Sequence, residues 1–153
     1  MIQEGRKAPD FRLEAADGSV VKLAELRGSP VVVYFYPKDD TPGCTREACA
    51  FQENLAKIRR TGAVVLGVSP DSVASHQRFR DKYELGFPLL SDPDKKVATK
   101  YGAFGEKLMY GKKVQGMIRS TFVIDAEGTV RKVFPRVRVD GHAEKVLEAL
   151  KEL

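Results

Sequence analysis

The chain has no tryptophan and only two cysteines and two histidines among its 153 residues. Two cysteines are too few for the disulfide-stapled scaffold of a small secreted domain. A zinc site usually takes four ligands at short spacings. Here it would have to recruit both cysteines together with His76 and His142, which lie far from the cysteines and lack His-x₃₋₅-His spacing. No metal and no cofactor is therefore expected, and a Cys–His hydrolase has no local signature. Both histidines are expected at the surface. Long hydrophobic runs are also missing. The longest is Val31 to Tyr36, far below the roughly 18 residues that cross a bilayer. The N-terminal MIQEGRKAPDF lacks the apolar centre of a secretion signal. These absences lead to the expectation of a cytoplasmic protein with no membrane contact.

Charge of one sign is in only modest excess: 26 Lys and Arg against 21 Asp and Glu, a net +5. The basic residues are interleaved with acidic ones, as in Arg78-Phe79-Arg80-Asp81-Lys82. The densest run, Arg131 to Arg138, alternates with apolar residues as a half-exposed strand would. Nucleic acid is not an expected partner, since no motif or aromatic-interleaved basic patch accompanies the charge. No repeat, low-complexity tract or Gly/Ser linker divides the chain, so one domain over residues 1–153 is expected.

What is present is an alternation of strand and helix patterns. Asp10–Leu13 and Ser19–Lys22 flank the turn signal Ala16-Asp17-Gly18 and read as a hairpin. Val31–Tyr36 and Ala63–Val68 are uniformly apolar, as strands buried on both faces are. Pro42 to Arg60 places Ala48, Phe51, Leu55 and Ile58 at helical spacing, and Asp71 to Tyr83 follows a helix-start signal. Phe87–Leu90 reads as a short edge strand, Pro93–Tyr101 as a helix, Ser120–Ile124 and Val130–Phe134 as a hairpin, and His142–Leu150 as an amphipathic helix. The pattern predicts an α/β protein with a thioredoxin-like fold: a central mixed sheet flanked by helices, with an added N-terminal β-hairpin.

Both cysteines fall in YPKDDTPGCTREAC, residues 36–49. Thr41-Pro42 is a helix-start signal, with Thr as N-cap and Pro where its missing N–H costs nothing. Cys44 then lies in the first turn, where free N–H groups and the helix dipole favour a thiolate. Gly43 leaves room for a small substrate to approach the backbone. Cys49, among Ala48, Ala50 and Phe51, would by itself be a buried filler. On an intact helix residues five apart have Cα atoms roughly 8–9 Å from each other, whereas a disulfide needs them within about 7 Å. If the two cysteines couple, the first turns must unwind. A thioredoxin-type dithiol would show Cys-x-x-Cys at this position; the spacing here is Cys-x₄-Cys.

The stretch Pro37-x₃-Thr41-x₂-Cys44 resembles the active-site motif of peroxiredoxins. YFYPKDDTPGCT, with Cys49 five residues on, is similar to the peroxiredoxin Q (bacterioferritin comigratory protein) branch. The resemblance extends through GRKAPDF (5–11), VLGVSPD (65–71), PLLSD (88–92) and RSTFVID (119–125). It implies a thiol peroxidase acting on hydrogen peroxide and organic hydroperoxides in antioxidant defence. Carried over, Cys44 attacks the peroxide and becomes a sulfenic acid, and Thr41 offers its hydroxyl to the reacting atoms. Pro37 shields the pocket, Arg119 stabilises the thiolate and polarises the substrate, and Glu47 orients Arg119. Without the motif, Arg119 and Glu47 would both read as surface charges. Cys49 corresponds to the resolving cysteine, forming an intramolecular disulfide that thioredoxin or a similar dithiol reductant opens. A resolving cysteine in the same chain implies a monomer, and Lys38, Asp39 and Asp40 receive no role. Two readings from other classes stand beside it: a redox sensor or chaperone-like module that uses the same disulfide to expose an unwound helix, and a basic nucleic-acid binder, which has only the net charge behind it.

Overall fold

The computed structural model describes residues 1–153. In order along the chain it contains β1 (Arg12–Ala15), β2 (Val20–Lys22), a 3₁₀ turn (Leu23–Leu26), β3 (Val31–Phe35), α1 (Pro42–Glu53), α2 (Leu55–Arg60) and β4 (Val64–Ser69). There follow α3 (Val73–Tyr83), β5 (Leu89–Ser91), α4 (Lys96–Tyr101), β6 (Phe104–Met109), β7 (Lys112–Met117), β8 (Ser120–Ile124), β9 (Val130–Phe134) and α5 (His142–Lys151). Seven strands form one sheet in the order β2-β1-β5-β4-β3-β8-β9, and β6-β7 form a separate ribbon. The pairs β3–β4 and β4–β5 are parallel; β1–β2, β1–β5, β3–β8 and β8–β9 are antiparallel. This is the expected thioredoxin-like mixed sheet, with the N-terminal hairpin forming one edge.

β3 shows why its sequence is apolar throughout. Successive side chains of a strand point to opposite faces, and here both faces are covered. Val32, Tyr34 and Tyr36 pack with Ala48, Phe51 and Ile58 of α1 and α2, Phe79 of α3, and Val146 and Leu150 of α5. Val31, Val33 and Phe35 pack on the other face with Val97, Ala98 and Tyr101 of α4 and with Phe122. Strand alternation and helical periodicity therefore meet in two apolar layers, and the central strand fixes the rest. Its register also sets up the site: Phe35 lies opposite Ser120. The chain leaving β3 toward Cys44 thus passes beside Arg119, the residue before β8.

The structure departs from the expectations at several points. β5 is interior, between β1 and β4, because the N-terminal hairpin folds back against it; the edge position expected for 87–90 is wrong. The helix expected over 42–60 is two helices. Asn54 breaks it with φ −99° and ψ 2°, its side-chain amide donating to the Ala50 carbonyl at 2.9 Å. The β6–β7 ribbon leaves little trace in the sequence, since its mixed polar residues carry little alternation. Of the basic run Arg131–Arg138, only residues up to Phe134 lie in a strand; Arg136 and Arg138 follow it in a loop. Both histidines expected at the surface are buried, His76 with no exposure and His142 at 3%. Each has internal partners: Asp39 and the Leu90 carbonyl for His76, Thr121 for His142.

Candidate active site

α1 begins as the sequence predicts, with Thr41 as the N-cap residue, but its hydroxyl does not cap the helix. It donates instead to the Lys38 carbonyl at 2.8 Å, closing the loop between β3 and α1. Cys44 follows in the first turn and is buried, whereas Cys49 is half-buried one and a half turns on. Both are free thiols, and α1 is wound through both positions. Burial raises the Cys49 pKa, with the Glu53 carboxylate adding to the effect.

Arg119 reaches across from the start of β8. Its Nη2 donates to Cys44 Sγ at 3.2 Å, and its Nη1 donates to Glu47 Oε1 at 2.7 Å. Burial works against its charge, but Glu47 and Cys44 beside it hold the guanidinium pKa above its usual value. Glu47 is 1% exposed, so it is not a surface residue. Burial pushes its carboxyl up to about 7, against the pull of Arg119. Its second oxygen, Oε2, makes no hydrogen bond, which leaves an ionised carboxylate only half satisfied.

Gly43 has a role that sequence reasoning placed elsewhere. A Cβ at this position would lie 3.2 Å from Arg119 Nη2, so the missing side chain accommodates the guanidinium. Pro37 is half-buried at the exit of β3. With Arg119, Lys107, Met117, Arg136 and Arg138 it lines a cleft of about 870 Å³ between the β6–β7 ribbon and the loop after β9. Lys107 Nζ donates to the Met117 carbonyl at 2.6 Å. Burial, then repulsion by Arg119, lowers the Lys107 pKa. The cleft is thus a basic, partly apolar hollow that reaches the site at Arg119 and Pro37, walled by a ribbon the sequence did not reveal.

The structure therefore brings Cys44, Arg119 and Glu47 into one hydrogen-bonded line, with Thr41 at the helix entry and Pro37 on the cleft wall. Chemically, a fixed cation donating to a sulfur can stabilise negative charge that develops on that atom or on one bonded to it.

Residues 5–133 match the model of the AhpC/TSA family. The chain is 49% identical over 149 residues to a putative peroxiredoxin bcp of Coxiella burnetii, covering 97% of this chain and 99% of that one. It is 43% identical over 152 residues to peroxiredoxin Bcp of Bacillus subtilis, covering 99% and 97%. Among solved structures, a mutant of Xylella fastidiosa PrxQ aligns with a TM-score of 0.93 at 36% identity, covering 99% of this chain and 97% of the other. Xanthomonas campestris peroxiredoxin Q aligns with a TM-score of 0.88 at 44% identity, covering 93% and 90%.

Proposed function

The chain belongs to the AhpC/TSA family, in its peroxiredoxin Q/Bcp branch, and on that premise we propose that it reduces hydrogen peroxide and organic hydroperoxides through Cys44. The observation that carries this reading is the 3.2 Å contact between Arg119 Nη2 and Cys44 Sγ in the first turn of α1.

In the first step the Cys44 thiolate attacks one peroxide oxygen. The S–O bond forms as the O–O bond breaks, and the departing alkoxide or hydroxide takes up a proton to leave as alcohol or water. Cys44 is oxidised to a sulfenic acid and the peroxide is reduced. Negative charge moves from sulfur to the departing oxygen, and a fixed guanidinium beside both lowers the energy of that transition state. Thr41 offers its hydroxyl oxygen as an acceptor to the peroxide, its hydrogen being engaged by Lys38. Pro37 limits water at the sulfur, and Glu47 holds Arg119 in line.

In the second step the Cys49 thiol attacks the sulfenic sulfur, forming an intramolecular disulfide and releasing water. The intact α1 keeps the two Cα atoms roughly 8–9 Å apart, so this step includes unwinding of the helix start. A thioredoxin or similar dithiol then reduces the disulfide by exchange, becoming oxidised itself. The working unit is one domain over residues 1–153, a monomer in the cytoplasm, since a resolving cysteine in the same chain requires no second copy.

Peroxide consumption with a thioredoxin system tests the reading. Cys44→Ser should abolish turnover, and wild-type turnover in that variant would refute it. One equivalent of peroxide should lower the intact mass by about two units as the disulfide forms.

A further inference from the structure

Helix α3 grips the loop between β3 and α1 at two successive residues, and the chemistry above uses neither. Asp39 is only 7% exposed although the residues on either side are open to solvent. Its Oδ1 accepts from the Tyr36 hydroxyl at 2.6 Å, and its Oδ2 accepts from Ser75 Oγ at 2.8 Å and lies 2.7 Å from His76 Nδ1. Its main-chain N–H donates to Asp71 Oδ2 at 2.8 Å, an oxygen also held by Ser69 Oγ at 2.7 Å. On the far side of the ring, His76 Nε2 sits 2.9 Å from the Leu90 carbonyl oxygen. A carbonyl only accepts, so Nε2 carries a hydrogen. The contact at Nδ1 then requires a second proton between ring and carboxyl, which makes it a charge-assisted bond or a carboxylic acid donating to the ring.

The next residue is held as firmly. Asp40 adopts φ 58°, in the left-handed region that residues with a Cβ rarely enter. Lys82 Nζ and the Tyr83 hydroxyl each donate to its carboxylate at 2.8 Å. A backbone strained in this way persists when its surroundings over-determine it. Asp39, Asp71 and His76 could in principle hold a cation, since their ligand atoms lie within 4.8 Å of one another. Each already has hydrogen-bond partners within the chain, however, and 2.7 Å between His76 and Asp39 is a hydrogen-bond distance. The cluster is a satisfied polar network.

We propose that His76, acting through Asp39, is a positioning residue for Cys44. The pair pins the loop to α3 two residues before the N-cap, and so fixes where the first turn of α1 begins and where Sγ meets Arg119. It also gives the unwinding segment an anchored upstream end. This inference rests on the peroxidase reading.

Two amide replacements separate positioning from simple core filling. His76→Asn keeps a donor near Nδ1 and can still bond Asp39; His76→Gln places its amide near Nε2 and can still bond the Leu90 carbonyl. The readout is the rate of Cys44 sulfenic acid formation with hydrogen peroxide, in a Cys49→Ser background that lets the product accumulate. It is quenched, trapped and weighed by mass spectrometry, with thermal melting in parallel. His76→Gln should slow the step by about tenfold or more, and His76→Asn by no more than about threefold, because small displacements of a reacting atom cost large factors. Asp39→Asn, which weakens the pair from the other side, should fall with His76→Gln. Equal losses in the two His76 variants, or the parent rate in either His76→Gln or Asp39→Asn, would overturn the proposal. If the histidine variants do not fold, Asp39→Asn decides alone. A parent protein that does not react with peroxide would overturn the peroxidase reading and this inference with it; a reactive parent with indistinguishable variants would overturn only the inference.

Discussion

Arg119 and Cys44, 75 positions apart in sequence, are joined by a 3.2 Å hydrogen bond from Nη2 to Sγ, while the same guanidinium donates to Glu47 at 2.7 Å. The strand register makes this possible, since Ser120 pairs with Phe35 at the end of β3. The planar fork makes it directional: one branch is fixed by a buried carboxyl, so the other can point only at the sulfur.

Arg119→Lys tests the fork rather than the charge. Lysine keeps the cation but cannot serve Glu47 and Cys44 with a fixed two-pronged geometry. The second-order rate with hydrogen peroxide should fall by about 100-fold, the usual loss when one aligned donor leaves a reacting centre. Competition kinetics against a peroxidase of known rate would measure it. A loss under threefold would show that a nearby positive charge suffices.

Gly43→Ala probes the same contact from below. The added Cβ would lie 3.2 Å from Arg119 Nη2, so the guanidinium must shift by a few tenths of an ångström while Glu47 holds its other branch. The peroxide rate should drop several-fold. Thermal stability should hold or rise slightly, because Ala is a better helix former than Gly by up to about 1 kcal/mol. An unchanged rate would mean that the guanidinium relaxes freely.

How much of this was legible beforehand depends on what kind of signal each feature leaves. Apolar runs such as Val31–Phe35 and the Thr41-Pro42 helix start are local, and both appear where the sequence put them. The break at Asn54 left no Gly or Pro to read, because a side-chain amide bonding the Ala50 carbonyl makes it. His76 and His142 read as surface residues, and Asp39 as one without a role, because polar identity is the only local clue to exposure. Their burial depends on partners 37 positions away for His76 with Asp39 and 21 for His142 with Thr121, which only the folded sheet brings close. The polar β6–β7 ribbon that walls the cleft carried too little alternation to stand out.

Glu47 gives a pH signature. Burial raises its folded pKa from 4.5 to about 7, so between these values the folded chain binds more protons than the unfolded one. The stability it contributes is therefore full below about 4.5 and is lost as pH rises through 7. Gln cannot titrate. The unfolding free energy of Glu47→Gln relative to wild type should accordingly rise between pH 5 and pH 8, by roughly 2–3 kcal/mol. Urea unfolding at both pH values measures this, and a pH-independent difference would show that Glu47 does not titrate in that range.

His142 acts in the opposite direction. Burial, reinforced by Lys145 and Arg119, lowers its folded pKa from 6.5 to about 4. The unfolded chain binds the proton first as pH falls, so the stability contributed by neutral His142 is present above 6.5 and is lost as pH falls toward 4. The ring packs edge-on to both Phe51 and Phe134, and the Glu144 carboxylate offsets only part of the cost of charging it there. His142→Gln should lose less stability than wild type between pH 7 and pH 4.5. Parallel acid titrations of the two proteins would weaken this account of the site.

The proposed disulfide between Cys44 and Cys49 would require α1 to open at its start. Its start lacks a side-chain cap, its first turn has no acidic residue and its last turn no basic one, so what holds it is the burial of Cys44, Glu47 and Ala48 and the Arg119 bonds to Cys44 and Glu47. Further along, Phe51 is fully buried and stacked on Tyr34 at 4.7 Å between ring centroids. Pulling such a side chain out costs on the order of 2–3 kcal/mol. Unwinding from Pro42 to Cys49 allows the sulfurs to meet without disturbing that anchor, and the Asn54 break isolates α2. Oxidised protein should therefore lose hydrogen-exchange protection at the amides of Thr45 to Cys49, while those of α2 remain as slow as in the reduced form. A disulfide that forms with the first turns still protected would refute the unwinding step, and loss of protection through α2 would show that Phe51 does not stop it.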